Sequence, residues 1–273
     1  MPQARRSGGR QGSDLGARIV AGVPAALFAL FIVASGGPIF AAGAALLGLA
    51  CLHELYAMYA DLRPARLAGF IGLIALVVAA HAGDLHHVLL VLAASVALTF
   101  LLTVAGPSIE GGTLGMALVL LGVFWVGLAI AHAVLLRDLP HGGGIVADVL
   151  VGTFVGDTGA YFGGRAIGQR KLAPRLSPNK TVEGLLCGIA TAVLAVWIGG
   201  LYQDWLSGTD ALLLGLGVAL AAPAGDLFES FIKRDAGTKD TGRLFGAHGG
   251  ALDRLDAILF TLVVGYYVWR ALL

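Results

Sequence analysis

Charged residues are scarce in this sequence. Asp, Glu, Lys and Arg make up 13% of the 273 residues, whereas 58% are hydrophobic, and the mean hydropathy is +0.85. A chain with so little charge is too apolar for a soluble globular domain, so composition places it among the polytopic membrane proteins. We therefore predict an all-α fold, a polytopic integral membrane protein embedded in a lipid bilayer.

Cysteine is rare too, with only Cys51 and Cys187 in the chain. Both lie inside predicted spans, and their spacing is not that of a metal site, so neither a disulfide framework nor a zinc site is indicated. The sequence also lacks a convincing internal repeat, which argues against an inverted-repeat transporter. The net charge of +1 is uninformative, and we expect no nucleic-acid partner.

What the sequence does contain is a series of long apolar runs. A helix needs roughly 20 apolar residues to cross the hydrocarbon core. Nine runs of about this length predict nine transmembrane helices, at 19–35, 39–60, 67–81, 88–105, 113–136, 144–163, 181–200, 209–228 and 257–273. Asp148, Asp157 and Asp226 lower the hydropathy of two of them, and the run at 67–81 is short.

The distribution of Lys and Arg predicts the orientation, because cytoplasmic loops carry an excess of both. With the N-terminus in the cytoplasm, 16 of the 18 Lys and Arg residues fall on that side, and only Arg137 and Arg270 fall outside. This partition supports an odd number of spans. It also makes the polar segments 164–180 and 229–256 cytoplasmic loops, where soluble nucleotides are available.

The sequence divides into three parts. Residues 1–18 are polar and Gly-rich with four Arg, which predicts a disordered cytoplasmic tail; a cleaved signal peptide is the alternative. Residues 19–141 read as a transmembrane scaffold of simple apolar helices. Residues 142–273 combine polar residues with apolar helices and are predicted to form the catalytic transmembrane region.

The scaffold contains two polar exceptions. Glu54 is an intramembrane acid, a residue type that is often functional. Because it lies near a cytoplasmic end, it could instead snorkel or pair with Arg63 or Arg66, and we favour that interpretation. His81, His86 and His87 lie on the predicted outer face; a metal site there is an alternative that their order does not favour.

The first group that can carry chemistry follows the helical period. Asp226, Glu229, Ser230 and Lys233 are spaced i, i+3, i+4 and i+7, so they share one helix face. Carboxylates and a lysine on one face can hold a divalent cation and contact a phosphate. The alternative is a salt-bridge stripe at the end of a span, with Lys233 and Arg234 as interfacial anchors.

The second group precedes the last predicted span. Asp253 and Asp256 lie one helical turn apart, and the glycines after His248 let the backbone approach a ligand closely. Hard carboxylate oxygens suit Mg²⁺, which takes one or two of them and completes its shell with water and substrate phosphates. Taken alone, the two acids could simply favour the positive end of a helix dipole.

The third group lies in the segment 157–184. Its basic loop can neutralise a polyphosphate and contains Arg165, Arg170, Lys171, Arg175 and Lys180. Thr181 is a candidate N-cap for the following helix. The alternative for this loop is plain topogenic charge. Glycines at 152, 156, 159 and 163 have the small-xxx-small spacing that permits close helix packing.

The C-terminal pattern resembles the signature of the phosphatidate cytidylyltransferase (CDP-diacylglycerol synthase) family. The residues that carry the resemblance are Ser230, Ile232, Lys233-Arg234, Lys239-Asp240, Gly242, Phe245-Gly246, His248-Gly249-Gly250, Asp253-Arg254 and Asp256. The resemblance extends to Asp157, Ala160-Tyr161, Gly164-Arg165, Ser177-Pro178, Lys180-Thr181 and Glu183-Gly184. Ala251 departs from the pattern, where a larger aliphatic residue is expected; the specific match covers about the last 120 residues.

The resemblance implies a multi-pass protein of the bacterial inner membrane that condenses CTP with phosphatidic acid to CDP-diacylglycerol and pyrophosphate, using Mg²⁺. It implies metal ligands at Asp226 and Asp253, with Asp256 and Glu229 as ligands or neighbours of ligands. Further predicted catalytic or phosphate-contacting residues are Lys233, Lys239, His248 and Arg254. Predicted substrate-binding residues are Tyr161, Arg165, Ser177, Lys180, Thr181, Glu183 and Arg234.

Two alternatives are kept. A related CTP-dependent enzyme or a polyprenol kinase would share the membrane phosphate chemistry but act on another lipid. An ion or anion transporter could use intramembrane acids, but it should place charges along a path to both faces, whereas this chain concentrates them on one side. A homodimer is a further expectation, since the small-residue faces would permit one.

Overall fold

The computed structural model describes residues 23–24, 26–242 and 249–273. The predicted tail at 1–18 and the predicted catalytic residue His248 lie outside these ranges. The helices are α1 (Ala26–Ser35), α2 (Gly37–Met58), α3 (Arg66–Ala82), α4 (Leu85–Val104), α5 (Gly112–Gly122), α6 (Leu128–Asp138), α7 (Gly142–Ile167), α8 (Val182–Gly200), α9 (Gly208–Asp235) and α10 (Leu252–Leu272).

The helices have the length and composition of membrane spans. A π-helical turn at Val123–Gly127 joins α5 and α6 into one continuous helix, Gly112–Asp138. Counting this helix once, seven helices in the described ranges are long and apolar enough to cross a bilayer, while α1 and α3 are apolar but shorter. The prediction of an α-helical, multi-pass membrane protein is confirmed.

The glycines of α7 serve close helix packing inside the chain. A Cβ on Gly156 would lie 3.0 Å from Ala192 Cβ, and a Cβ on Gly163 would overlap the Cys187 side chain of α8. Gly159 faces Thr191 in the same way. The small-xxx-small interpretation is therefore confirmed as packing of α7 on α8, so these glycine faces are already covered and do not argue for a homodimer.

The connection between α7 and α8 is a β-hairpin, which the all-α prediction did not include. Strand β1 (Lys171–Ala173) pairs antiparallel with β2 (Ser177–Thr181) in the register Lys171 with Thr181 and Ala173 with Ser177. The strands are three and five residues long, too short and polar for the alternating apolar pattern that predicts a strand. Part of the segment 164–180, which we expected to be a loop, is therefore a β-hairpin.

The helices continue beyond the predicted span boundaries into the polar segments. Helix α7 runs to Ile167, α9 runs to Asp235 and α10 begins at Leu252. The predicted loops at 164–180 and 229–256 are therefore shorter than expected. Hydropathy marks where a helix leaves apolar surroundings, but backbone hydrogen bonds let the helix continue with polar side chains.

The end of α2 packs against the end of α9. The Tyr59 hydroxyl lies 2.8 Å from Asp235 Oδ2 and 3.0 Å from the carbonyl oxygen of Ile232. Burial, with the Asp235 hydrogen bond as the smaller cause, raises the pKa of Tyr59 well above its ordinary value. The hydroxyl therefore stays protonated and joins the N-terminal and C-terminal halves of the chain.

Candidate active site

A cavity of about 890 Å³ opens between α7, α8, α9, the start of α10 and the β-hairpin. Its lining includes nearly all of the predicted site residues: Tyr161, Arg165, Ser177, Lys180, Thr181, Asp226, Glu229, Lys233, Arg234, Lys239, Asp253, Arg254 and Asp256. Residues as far apart in sequence as Tyr161 and Asp256 are thus brought to one place. The four residues predicted to share a face of α9, Ser230 included, all line this cavity.

Three carboxylates converge at the centre of the cavity. One ligand oxygen from each of Asp226, Glu229 and Asp256 lies within 4.8 Å of the other two. Asp226 and Glu229 are one turn apart on α9, and Asp256 is in the first turns of α10. The spacing suits a single divalent cation with oxygen ligands, and it is the only such His, Cys, Asp and Glu group among the described residues.

Gly225 permits this convergence. A Cβ at this position would lie 2.6 Å from the carbonyl oxygen of Asp256 and 3.0 Å from Cα of Ala257. Both are backbone atoms, so α9 and α10 cannot be this close with any larger residue unless one helix moves. The glycine next to Asp226 therefore sets the distance between the two helices that supply the carboxylates.

We predict that Gly225→Ala lowers stability by about 1–3 kcal/mol, as overpacking typically does, and also lowers the activity by separating the carboxylates. Gly217→Ala is the matched control: it lies on α9 and also faces α10, but its Cβ would meet only the ends of Val264 and Val268 side chains, at 3.1 Å each. Thermal unfolding in detergent compares the two. Equal effects of both variants would contradict the assigned role of Gly225.

Lys233 neutralises two of the acids. Its Nζ lies 2.6 Å from Glu229 Oε2 and 2.8 Å from Asp253 Oδ1. The Glu229 side chain is 1% exposed, and its other oxygen, Oε1, is buried without a hydrogen-bond partner among the described residues. A buried carboxylate oxygen without a donor is costly, and a cation held with Asp226 and Asp256 would satisfy it.

Both carboxylate oxygens of Asp253 accept hydrogen bonds from donors within the protein. Its Oδ2 accepts hydrogen bonds from the backbone N–H of Gly250 at 2.7 Å, the N–H of Thr241 at 2.9 Å and the Thr241 hydroxyl at 2.9 Å. Its Oδ1 accepts from Lys233. The structure therefore groups Asp226 with Glu229 and Asp256, whereas the sequence favoured Asp226 with Asp253 as the first ligands.

Cationic side chains surround the carboxylates. Lys180, at the end of β2, forms an ion pair with Asp226 and so connects the hairpin to α9. The cations that line the cavity are Arg165, Lys180, Lys233, Arg234, Lys239 and Arg254. A polyphosphate in this cavity would meet positive charge from three parts of the chain.

Arg234, Arg165 and Thr181 of the cavity lining form hydrogen bonds within the protein, and that of Arg234 with Leu176 joins α9 to the hairpin. Arg234 donates from Nε to the carbonyl oxygen of Leu176 and from Nη1 to that of Thr238, both at 3.3 Å. Arg165 donates from Nη1 to the Tyr161 hydroxyl at 3.2 Å. The Thr181 hydroxyl accepts from the N–H of Gly184 at 3.1 Å, which confirms Thr181 as the N-cap of α8.

Glu183 is not part of the cavity lining. Its carboxylate accepts hydrogen bonds from the N–H groups of Gln169 and Arg170 at 2.9 and 3.1 Å, and from Arg170 Nε at 2.8 Å. It therefore secures the turn that leads into β1. The structure gives Glu183 and Arg170 a role in shaping the hairpin, where the sequence suggested substrate binding and loop charge.

Glu54 corrects another interpretation. Its carboxylate is buried, 6% exposed, and accepts hydrogen bonds from the Thr241 hydroxyl and from the N–H groups of Ala251 and Leu252. The expected snorkelling, or pairing with Arg63 or Arg66, is therefore wrong. Sequence reasoning missed this contact between the scaffold and the start of α10. The only signal in the sequence was an acid inside an apolar run.

Three further polar residues line the cavity: Asp157, Asn179 and Asp240. Asp157 was considered from the sequence without a definite role, whereas Asn179 and Asp240 were not singled out as site residues. Asp157 and Asp240 belong to the pattern that carries the resemblance, but that pattern assigned them no role. Asp157 lies on α7, Asn179 on β2 and Asp240 just after α9, and packing of these elements brings the three side chains to one cavity.

The histidines of the opposite face form pairs with acids. His81 Nδ1 lies 3.5 Å from Asp138 Oδ2, and His87 Nδ1 lies 2.8 Å from Asp84 Oδ1. The hydrogen bonds from the side chain and backbone of His87 hold the pKa of Asp84 below its ordinary value. Asp84 also caps α4, so these contacts have a structural explanation that involves no metal.

Comparison with known proteins identifies the family of the chain. The sequence profile of the Cytidylyltransferase family matches residues 16–272. A phosphatidate cytidylyltransferase of Brucella suis is 34% identical over 264 residues, which cover 93% of each chain. One from Pseudomonas aeruginosa is 40% identical over 163 residues, 58% of each chain.

A third relative, the Uncharacterized protein YnbB of Escherichia coli K12, is 37% identical over 180 residues, covering 63% of this chain and 60% of that protein. The family profile spans all the elements that line the cavity, from α7 to α10. On these grounds the chain belongs to the cytidylyltransferase family.

Proposed function

We propose that this protein is a phosphatidate cytidylyltransferase, which converts CTP and phosphatidic acid to CDP-diacylglycerol and pyrophosphate. The observation that supports this most directly is the composition of the cavity: three converging carboxylates and six cationic side chains lie at one end of apolar membrane helices. The choice of CTP and phosphatidic acid as substrates follows from the relatives that are phosphatidate cytidylyltransferases.

The cavity is polar at one end and apolar at the other. On α7, α8 and α9, small apolar residues line it one to several turns away from the charged ends; they are Gly152, Gly156, Gly188, Ala192, Ala219 and Ala222. A ligand with an anionic head and an apolar tail matches this gradient. The lining therefore supports a lipid phosphate rather than a soluble acceptor.

The reaction needs positioning and charge stabilisation more than acid–base chemistry. A phosphate oxygen of phosphatidic acid forms a bond to the α-phosphorus of CTP. The bond from that phosphorus to the oxygen of the β-phosphate breaks, and its electron pair leaves with pyrophosphate. Because the attacking oxygen is already an anion, no strong general base is required.

Different residues of the cavity would bind the cation and contact the phosphates. Asp226, Glu229 and Asp256 would hold Mg²⁺, which when bound supplies Lewis-acid stabilisation of phosphate charge. Asp253 holds Lys233 in place and orients the backbone before α10. The remaining cations of the lining, Arg165, Lys239 and Arg254 among them, would contact phosphate oxygens of the substrates.

The orientation and location belong to the same proposal. With α1 and α3 counted as spans, the chain crosses the membrane nine times, and the distribution of Lys and Arg puts the N-terminus and the cavity in the cytoplasm. CTP would then enter from the cytoplasm of a bacterial cell, at its inner membrane. His248 lies outside the described residues, so its phosphate contact stays a prediction, as does the homodimer.

Product formation by the detergent-purified protein tests the function. With phosphatidic acid, CTP and Mg²⁺ we expect CDP-lipid and pyrophosphate in equal amounts, and neither when the lipid is omitted. Replacing CTP by UTP tests the base, and replacing phosphatidic acid by a polyprenyl phosphate or an ether-lipid phosphate tests the acceptor. Product formed only with another acceptor would favour a related enzyme. A folded protein that forms no product with any of these acceptors would contradict the proposal and favour a transporter.

A further inference from the structure

Glu54 on α2 connects the N-terminal helices to Thr241 and to the start of α10. Its Oε1 accepts from the N–H of Ala251 at 3.0 Å, and its Oε2 accepts from the N–H of Leu252 at 2.9 Å. These are the donors at the start of α10, and the helix has no side-chain N-cap of its own, since Ala251 occupies that position. A carboxylate from another helix therefore does the work of an N-cap.

The same carboxylate also contacts Thr241, which follows α9 in the chain. The Thr241 hydroxyl lies 3.0 Å from Glu54 Oε2 and 2.9 Å from Asp253 Oδ2. Its single proton can be donated to only one of the two carboxylates at a time. Glu54 and Asp253 thus bind both Thr241, which follows α9, and residues 250–252, which lead into α10.

Two glycines make room for this contact. A Cβ at Gly250 would overlap Glu54 Oε2 and the Thr241 hydroxyl, and a Cβ at Gly242 would lie 2.8 Å from Glu54 Cδ. Both positions belong to the C-terminal pattern of the sequence. Their lack of a side chain is explained by a carboxylate that comes from α2, almost 200 residues earlier in the chain.

We infer that Glu54 is a positioning residue for catalysis, which acts by holding Thr241 and the start of α10 so that Asp253 and Asp256 keep their places. The inference rests on the proposed function for its catalytic readout. Because Glu54 does not line the cavity, we expect it to affect turnover more than the binding of CTP.

The variant Glu54→Gln tests the inference. An amide retains the shape but loses the charge and one acceptor oxygen, so at least one of the three donors loses its partner. We expect kcat to fall at least tenfold, the KM for CTP to change less than threefold, and amide hydrogen exchange of the peptide at 249–256 to become at least tenfold faster. The exchange measurement needs no activity and no bound metal.

Asp148→Asn is the matched control. Asp148 is an equally buried acid, also 6% exposed, but it accepts from Gln203 at 3.0 Å and does not line the cavity. We expect it to leave kcat and the exchange of 249–256 unchanged. Unchanged kcat and exchange in Glu54→Gln would overturn the inference, and so would equal losses in both variants.

A second variant covers the case in which Glu54→Gln does not fold. Thr241→Val removes only the hydroxyl between the two carboxylates and leaves Glu54 in its helix; we expect the same direction of change in kcat and in exchange, and wild-type values for both would overturn the inference. Failure of the proposed function can be distinguished from failure of this inference. In the first case wild-type protein would form no CDP-lipid, but the exchange experiment would still report on the Glu54 contacts.

Discussion

Replacing Asp256 by asparagine is expected to lower kcat for CDP-lipid formation by about a hundred- to a thousandfold, the loss typical when one preorganised electrostatic contact to a transition state is removed. Asp256 is one of three carboxylates whose ligand oxygens lie within 4.8 Å of one another. An amide has one oxygen and no charge, so the group would hold a divalent cation less tightly. The Mg²⁺ concentration for half-maximal rate should therefore rise as well.

Initial rates over a series of Mg²⁺ concentrations measure both effects. Asp148→Asn, an acid-to-amide change at a buried position away from the cavity, is the control and should behave as wild type. Asp226→Asn should resemble Asp256→Asn, since both belong to the same group. A folded Asp256→Asn protein with wild-type kcat and wild-type Mg²⁺ dependence would rule out the metal assignment.

Replacing Lys233 by methionine should destabilise the fold and abolish activity together. Nζ lies between Glu229 and Asp253, whose side chains are 1% and 7% exposed, and Lys233 itself is 14% exposed. Removing one partner of a buried ion pair costs about 3–5 kcal/mol, because the charge that remains is buried without compensation. The unfolding free energy in mixed micelles, measured without divalent cations, is expected to fall by about that amount.

The double variant Lys233→Met with Glu229→Gln separates stability from catalysis. Once Glu229 is replaced by a neutral amide, one of the two uncompensated charges is gone, so a substantial part of the lost stability should return. Activity should not return, because the cavity has lost both a cation and a carboxylate. A Lys233→Met protein as stable as wild type would show that the ion pairs seen around Nζ contribute nothing to the fold.

Much of the fold could be predicted from the sequence because membrane helices are a local property. About 20 apolar residues in a row make a span whatever surrounds them, so the predicted runs and the observed helices coincide except at their ends. The spacing of Asp226, Glu229 and Lys233 is equally local, since a helix brings residues three and four apart onto one face. These residues are on α9 as expected, and they line one cavity.

The roles within the cavity could not be predicted in the same way. Asp253 and Glu229 are both acids near the same lysine. Nothing in their spacing shows that the backbone N–H groups of Thr241 and Gly250 donate hydrogen bonds to Asp253. Nor does the sequence show that Glu229 keeps a buried oxygen without a donor. Which carboxylate is left for a cation depends on contacts between segments, not on the residue type.

The sequence by itself determined the membrane class, the approximate helices, the family resemblance and the residues with which the chemistry can be done. Only the tertiary structure decided that Glu54 binds the start of α10, that Glu183 secures the hairpin, and that Asp226, Glu229 and Asp256 form one group. Hydropathy and helical period act within a few residues, whereas a buried carboxylate takes its partners from whichever donors packing brings within about 3 Å.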